Sequence, residues 1–171
     1  MNLMDLLKDA GAESSVGTIG KQLNLGGAET KAMIDAVAPA LMRGLQKGSS
    51  SSGGLSALAR ALESGNHQAY VDRPDEISSS AAIDDGKRIL GHVFGSKDVS
   101  RNVAADASAK SGIDASLIKQ ALPMIAGLAM GALSKKSNGG RDAGSVLPGL
   151  LGGGDGEFGV DDVLNLARKF F

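Results

Sequence analysis

Cysteine is absent from this chain of 171 residues, which excludes disulfides, thiol nucleophiles and thiolate metal sites. That absence suits a reducing compartment. An excess of either charge is also missing: 18 Lys and Arg stand against 19 Asp and Glu, a formal net charge of −1. Residues 1–90 hold 9 basic and 11 acidic side chains, and residues 91–171 hold 9 and 8. Neither half offers a basic footprint, so no nucleic-acid partner is expected. The opening MNLMDLLKDAGAESS places Asp5 and Asp9 within its first apolar turns and lacks a basic region followed by an apolar core. No secretion signal is expected there, and the cytoplasm is the expected location.

An uninterrupted apolar run of membrane-spanning length is missing too. The longest, Ala121 to Leu133 within SLIKQALPMIAGLAMGALSKK, is shorter than the roughly 20 residues that cross the hydrocarbon, and it is diluted by Ala and Gly. It reads as the buried helix of a soluble domain. At this length the chain is about one ordinary domain, able to bury roughly two-thirds of its unfolded surface.

What is present is helical periodicity, with no alternating strand of convincing length. The pattern predicts helices over 2–10, 14–25 and 28–47. The last of these carries Met33, Val37, Leu41 and Leu45 on one stripe, with Lys31, Asp35, Arg43 and Gln46 largely opposite. GSSSSGG, residues 48–54, reads as a flexible linker, followed by a helix over 55–63 that stops at Ser64-Gly65. Residues 66–80, NHQAYVDRPDEISSS, read as a polar loop with at most one helical turn. Further helices are predicted over 84–94 and 96–111, the latter with Val99 and Val103 inward. Asp114 then caps the apolar helix, and a final helix begins at Val160 or Asp161.

The apolar helix has a counterpart. Setting Pro39 against Pro123, an offset of 84, matches MIDAVAPALMRGL to LIKQALPMIAGLA. An interior proline removes a helical hydrogen bond and costs about 3 kcal/mol, so its presence at both positions points to a repeated element and to a kink in each helix. The expected fold is all-α: a multihelical bundle without β-sheet, with two proline-kinked central helices around Pro39 and Pro123 and shorter helices about them. Residues 1–153 would form one helical domain. Residues 154–171 would add a glycine tether and an amphipathic helix.

DGKRILGHVFGSKDV, residues 85–99, followed by SGIDASLIKQALPMIAGLAMGAL, residues 111–133, resembles the YidB-like family of bacterial proteins, as does the tail SVLPGLLGGGDGEFGVDDVLNLARKFF. The likeness rests on Ile89-Leu90-Gly91, Phe94-Gly95, Ser111-Gly112, Leu122-Pro123-Met124 and the run Met130 to Leu133. The resemblance implies a multihelical bundle in a bacterial protein. The family is a domain of unknown function, so the resemblance lends no catalytic residue and no ligand. The serine linker and the segment 66–80 depart from the family pattern.

Chemistry-bearing motifs are weak. GDGEFG, residues 154–159, matches the dinucleotide fingerprint in letters, but no strand precedes it and Asp155 and Glu157 would repel phosphates. DGEFGVDD, residues 155–162, lacks the glycine that a calcium loop needs at its sixth position. His67 and His92, the only histidines, give no metal spacing; His67 falls in the polar loop and His92 on a helix, partly exposed. There is no nucleophile elbow and no P-loop lysine. These observations predict no enzyme activity and no cofactor or metal.

Two features suit interaction. Gly91 with Gly95, and Gly127 with Gly131, form G-x-x-x-G pairs that are expected to mark close helix packing. The tail helix carries Val163, Leu164, Ala167, Phe170 and Phe171 as an apolar face, acids at its start and Arg168-Lys169 at its end. A helix of that length is marginal alone and must pack on something, whether its own bundle, a second copy or a partner groove. The expected role is a non-enzymatic interaction or scaffold protein with a protein partner or self-association. The alternatives are a small apolar-ligand binder using a pocket beside the prolines, and a peripheral membrane protein inserting Phe170-Phe171 beside Arg168-Lys169.

Overall fold

A computed structural model describes residues 2–50 and 53–146. Among them every regular element is a helix. The order is α1 (Leu3–Asp9), α2 (Glu13–Gln22), α3 (Gly27–Ser50), α4 (Gly54–Ser64), α5 (Ala69–Asp72), a 3-10 turn (Pro74–Ser78), α6 (Ser80–Phe94), α7 (Lys97–Ser111) and α8 (Ala115–Lys136).

The ends of these helices follow from local chemistry. Asn2 and Asp5 form a reciprocal capping box at the start of α1. The side chains of Ser79, Ser96 and Asp114 accept from the first-turn amides of α6, α7 and α8. Two hydrogen bonds from Ser116 to Asp114 favour its ionised form and hold that carboxyl below the usual carboxylate range.

The stripe expected on α3 is the stripe that is buried: Met33 and Val37 at 0%, Leu41 at 2% and Leu45 at 7% exposure. Lys31, Asp35 and Arg43 lie on the exposed side. The apolar helix α8 is the axis of the bundle, buried at every position from Ala121 to Ser134. At 22 residues it is long and apolar enough to cross a membrane, and most of its apolar window lies inside the bundle, which accounts for its composition.

The two proline helices do not share one environment. Pro123 is buried in α8, whereas Pro39 sits on the exposed side of α3. α8 is therefore the one central helix, and α3 is an amphipathic wall. Their surroundings are nevertheless reciprocal: α3 packs on α1 and α2 of its own half and on α6 and α7 of the other, and α8 does the converse. Gly11 and Gly95, also 84 positions apart, both close the first helix of their half at φ 75°, a left-handed conformation that costs other residues about 1–2 kcal/mol. The repeat seen around the prolines thus extends over three helices in each half.

Three expectations are corrected. The linker 48–54 is narrower than its composition suggested, because α3 continues to Ser50 and α4 begins at Gly54. The segment 66–80 is no surface loop: it makes α5 and the 3-10 turn and buries His67, Ala69, Val71 and Ile77. Val99 points outward and is 40% exposed, because α7 turns Ala104 and Ala107 to the core instead. The tail helix expected over 160–171, its tether and the GDGEFG motif all lie outside the described residues.

Candidate functional site

Two places gather features that a function could use. The first is a polar knot under the segment 66–80. Asp85, on α6, receives the Tyr70 hydroxyl at 2.9 Å, and its Oδ2 lies 3.1 Å from His67 Nε2. The Tyr70 ring meets His67 edge-on at a centroid distance of 6.0 Å. The buried Ser15 hydroxyl of α2 donates to the Tyr70 carbonyl at 2.6 Å, so three elements meet at this segment. Burial first, and the Asp85 carboxylate second, push the Tyr70 hydroxyl up to about 12.

An imidazole oriented by a carboxylate is the arrangement of a general base. Here the imidazole is buried. His67 is 5% exposed, and its Nδ1, which has no hydrogen-bond partner among the described residues, lies against the Cα of Gly65. That nitrogen is buried, and the knot ties the segment 66–80 to α6 through Asp85 and to α2 through Ser15.

The glycine pairs divide differently from the expected way. Gly91 and Gly95 are exposed, with no atom within 4 Å of where a Cβ would stand, so they mark no packing contact; Gly95 instead serves as the left-handed cap of α6. Gly127 and Gly131 do face a close neighbour, which is the segment 66–80 rather than another long helix. A Cβ at Gly131 would stand 2.5 Å from the His67 carbonyl oxygen, and one at Gly127 would touch the Tyr70 ring. The tightest helix crossing uses a glycine that the spacing did not flag: Gly86 of α6 lies on the backbone of Pro123, where a Cβ would collide with the carbonyl.

The second place is an apolar groove of about 360 Å³ between the end of α3, α4 and α6. Its sides are set by small residues, Gly44 and Gly48 on α3 and Ala57 and Ala61 on α4, with Leu58 and His92 among the others lining it. Gly44 lets α6 approach, since a Cβ there would meet the Val93 carbonyl oxygen at 2.6 Å. His92 is exposed on the helix, as expected, and stands at this groove. A signal for it existed in the repeated four-residue spacing of small residues, 44 with 48 and 57 with 61, but those pairs lie on separate helices whose approach only the fold creates.

A smaller-walled recess of about 370 Å³ lies beside Pro39, between α1 and α3, and is lined in part by Asp5, Lys8, Lys31 and Asp35. Beside Pro123 the space is filled by α6 through Gly86. The pocket expected beside the prolines therefore has a counterpart at Pro39, and that one is more polar than the α3, α4 and α6 groove. No group of His, Asp and Glu that could hold a metal ion occurs among the described residues. Val163, Leu164, Ala167, Phe170 and Phe171 lie outside them.

Residues 5–136 match the model of the family described as Bacterial protein of unknown function (DUF937). That match spans well over half of the chain, which belongs to this family. No curated protein matches the chain, and no solved structure matches it.

Proposed function

We propose that this member of the family is a non-enzymatic interaction protein of the bacterial cytoplasm, a scaffold whose α3, α4 and α6 groove receives an amphipathic helix. The observation that carries the reading is the groove itself: an apolar recess open to solvent and walled by Gly44, Gly48, Ala57 and Ala61, whose small side chains let a helix approach closely. Helix-in-groove recognition needs such a surface, filled by side chains spaced three and four apart. Among the described residues the one imidazole beside a carboxylate, His67, is buried at 5% exposure, whereas the groove is open to solvent.

The test is capture of partners from gently lysed native cells by the full chain and by Ala57→Asp, which puts a charge into the groove at an exposed position. The expected result is a protein recovered by the first and lost by the second. When purified, it binds the full chain at least ten-fold more tightly than the variant. Equal recovery by both would move the interface off the groove.

A second reading takes the same recess as a site for a small apolar ligand, since about 360 Å³ falls within the range of ligand pockets, about 300–1,000 Å³. A thermal-shift screen against lipids and metabolites separates the two, because a small ligand raises the melting temperature of the full chain and leaves that of Ala57→Asp unchanged.

A further inference from the structure

We infer that the groove between α3, α4 and α6 is occupied by this chain's own residues 160–171, folded as an amphipathic helix and docked in cis. This rests on the proposed groove and names its resident occupant.

Position supports it. The described chain runs from α8 through a turn in which Gly140 donates to the Ser137 hydroxyl at 3.1 Å, and this places Gly140 against Ala59 and Glu63 of α4, the helix whose other flank, at Ala57 and Ala61, walls the groove. A Cβ at Gly140 would stand 2.9 Å from the Ala59 carbonyl oxygen. Ala59 and Glu63 stand about 200° round α4 from Ala57 and Ala61, so the chain reaches α4 on its far flank, about one helix diameter (~10 Å) from the groove.

Length supports it as well. Residues 147–159 lie between Val146, the last described residue, and residue 160. A glycine-rich stretch of this length spans about 20 Å on average and about 45 Å at full extension, against a radius of gyration of about 15 Å for a domain of this size. The tail therefore reaches the groove without strain. A short tether also gives it an effective concentration of order millimolar, so that even a groove affinity of about 100 μM would keep it about nine-tenths bound.

Chemistry completes the match. VDDVLNLARKFF offers Val163, Leu164 and Ala167 on one face, and the recess accommodates a few such side chains rather than a whole helix. Among the described residues no acid lines the groove. Lys47 and Arg60, each within one turn of a lining residue on α3 and α4, are exposed and form no salt bridge among the described residues, and Glu63, two residues from Ala61, is an acid beside them. Residues 154–171 carry Asp155, Glu157, Asp161 and Asp162 ahead of their two basic residues, so the acidic entry of the tail would meet a rim with more basic than acidic side chains.

The absence of native cysteine makes the test direct. Ala57→Cys with Leu164→Cys, in the full chain, joins groove to tail. Lys31→Cys with Leu164→Cys joins the tail to the recess beside Pro39. Ala57 and Lys31 are both exposed, so both pairs should retain the wild-type helical circular dichroism, and Arg60→Cys repeats the groove arm from the rim. Under mild oxidation at low micromolar protein, the expected result is a fast-migrating cross-linked monomer from the groove pair, formed at least ten-fold faster than from the Lys31 pair. Equal rates, or no cross-link, overturn the proposal and leave the groove to an outside partner, whose binding the Ala57→Asp capture reads separately. A cross-linked dimer also overturns it, and would assign the groove to the tail of a second copy.

Discussion

The two halves of this bundle, α1 to α3 and α6 to α8, share a plan and differ in what surrounds it. Leu6 and Leu90, Ile34 and Ile118, and Leu41 and Ile125 are buried pairs at the same offset as the two prolines. The second helix is longer in the second half, Lys97–Ser111 against Glu13–Gln22, and the third begins correspondingly later relative to its proline. The first half's proline helix keeps a solvent face, while the second half's is enclosed by helices from both halves and by the segment 66–80. A shared plan sets which side of each helix is apolar. Whether the other side must also be apolar depends on how many neighbours arrive.

The sharpest way to break this comparison is at the helix crossing that only the second half has. Gly86→Ala drives a Cβ into the Pro123 backbone, which neither helix can vacate without moving the core. The expected loss is about 3 kcal/mol or more, in the range of overpacked cores. Urea denaturation checks it, and a loss below 1 kcal/mol would mean that α6 and α8 do not cross so closely. Gly91→Ala on the same helix, with open space around it, should instead raise stability by about 0.5–1 kcal/mol.

The prolines come next. Pro39→Ala restores a backbone donor in an exposed helix interior and should stabilise by up to about 3 kcal/mol. Pro123→Ala restores the same bond and also removes buried ring carbons, so its gain should be smaller by about 2 kcal/mol. Equal urea midpoints for the two variants would show that the halves are energetically alike and that burial of Pro123 counts for little.

Where the halves agree, equal effects are expected. Gly11→Ala and Gly95→Ala each place a Cβ at φ 75° with nothing within 4 Å, so each should cost about 1–2 kcal/mol of backbone strain. A difference beyond about 0.5 kcal/mol in thermal unfolding would break the repeat.

The smallest effect concerns the segment between the halves. Tyr70 is the only tyrosine in a chain without tryptophan, so its absorbance titration reads one group. Its folded value near 12 lies above the ordinary 10, so folding favours the protonated phenol. That contribution is fully present below pH 10 and is lost as pH rises from 10 through 12. Tyr70→Phe should remove this component of alkaline destabilisation and cost about 1 kcal/mol at neutral pH, where a single hydrogen bond to Asp85 is lost.

Legibility in the sequence followed the range of the physics involved. The stripe of Met33, Val37, Leu41 and Leu45, the cap at Asp114 and the stop at Gly65 are decided within a turn or two of helix, and they were readable. His67 looks like a polar-loop residue in the sequence because nothing nearby in the chain shows that Asp85 comes to meet it. The spacing of Gly91 and Gly95 imitated a packing motif, since a four-residue interval does not say which side of α6 faces α8. The small-residue spacings at 44 with 48 and 57 with 61 do not by themselves make a groove, for the same reason: Gly44, Ala57 and His92 belong to three helices, and their approach depends on the crossings at Gly86 and at Gly44.

The sequence by itself determined the helices, their apolar stripes and the duplication around Pro39 and Pro123, because periodicity, capping and backbone restriction act over a few residues. The tertiary structure decided which proline helix became the axis, turned the polar segment 66–80 into a buried tie and left a groove at the junction of α3, α4 and α6. Those outcomes depend on how surfaces distant in the chain fit together, and close packing resolves them only when all the helices are in place.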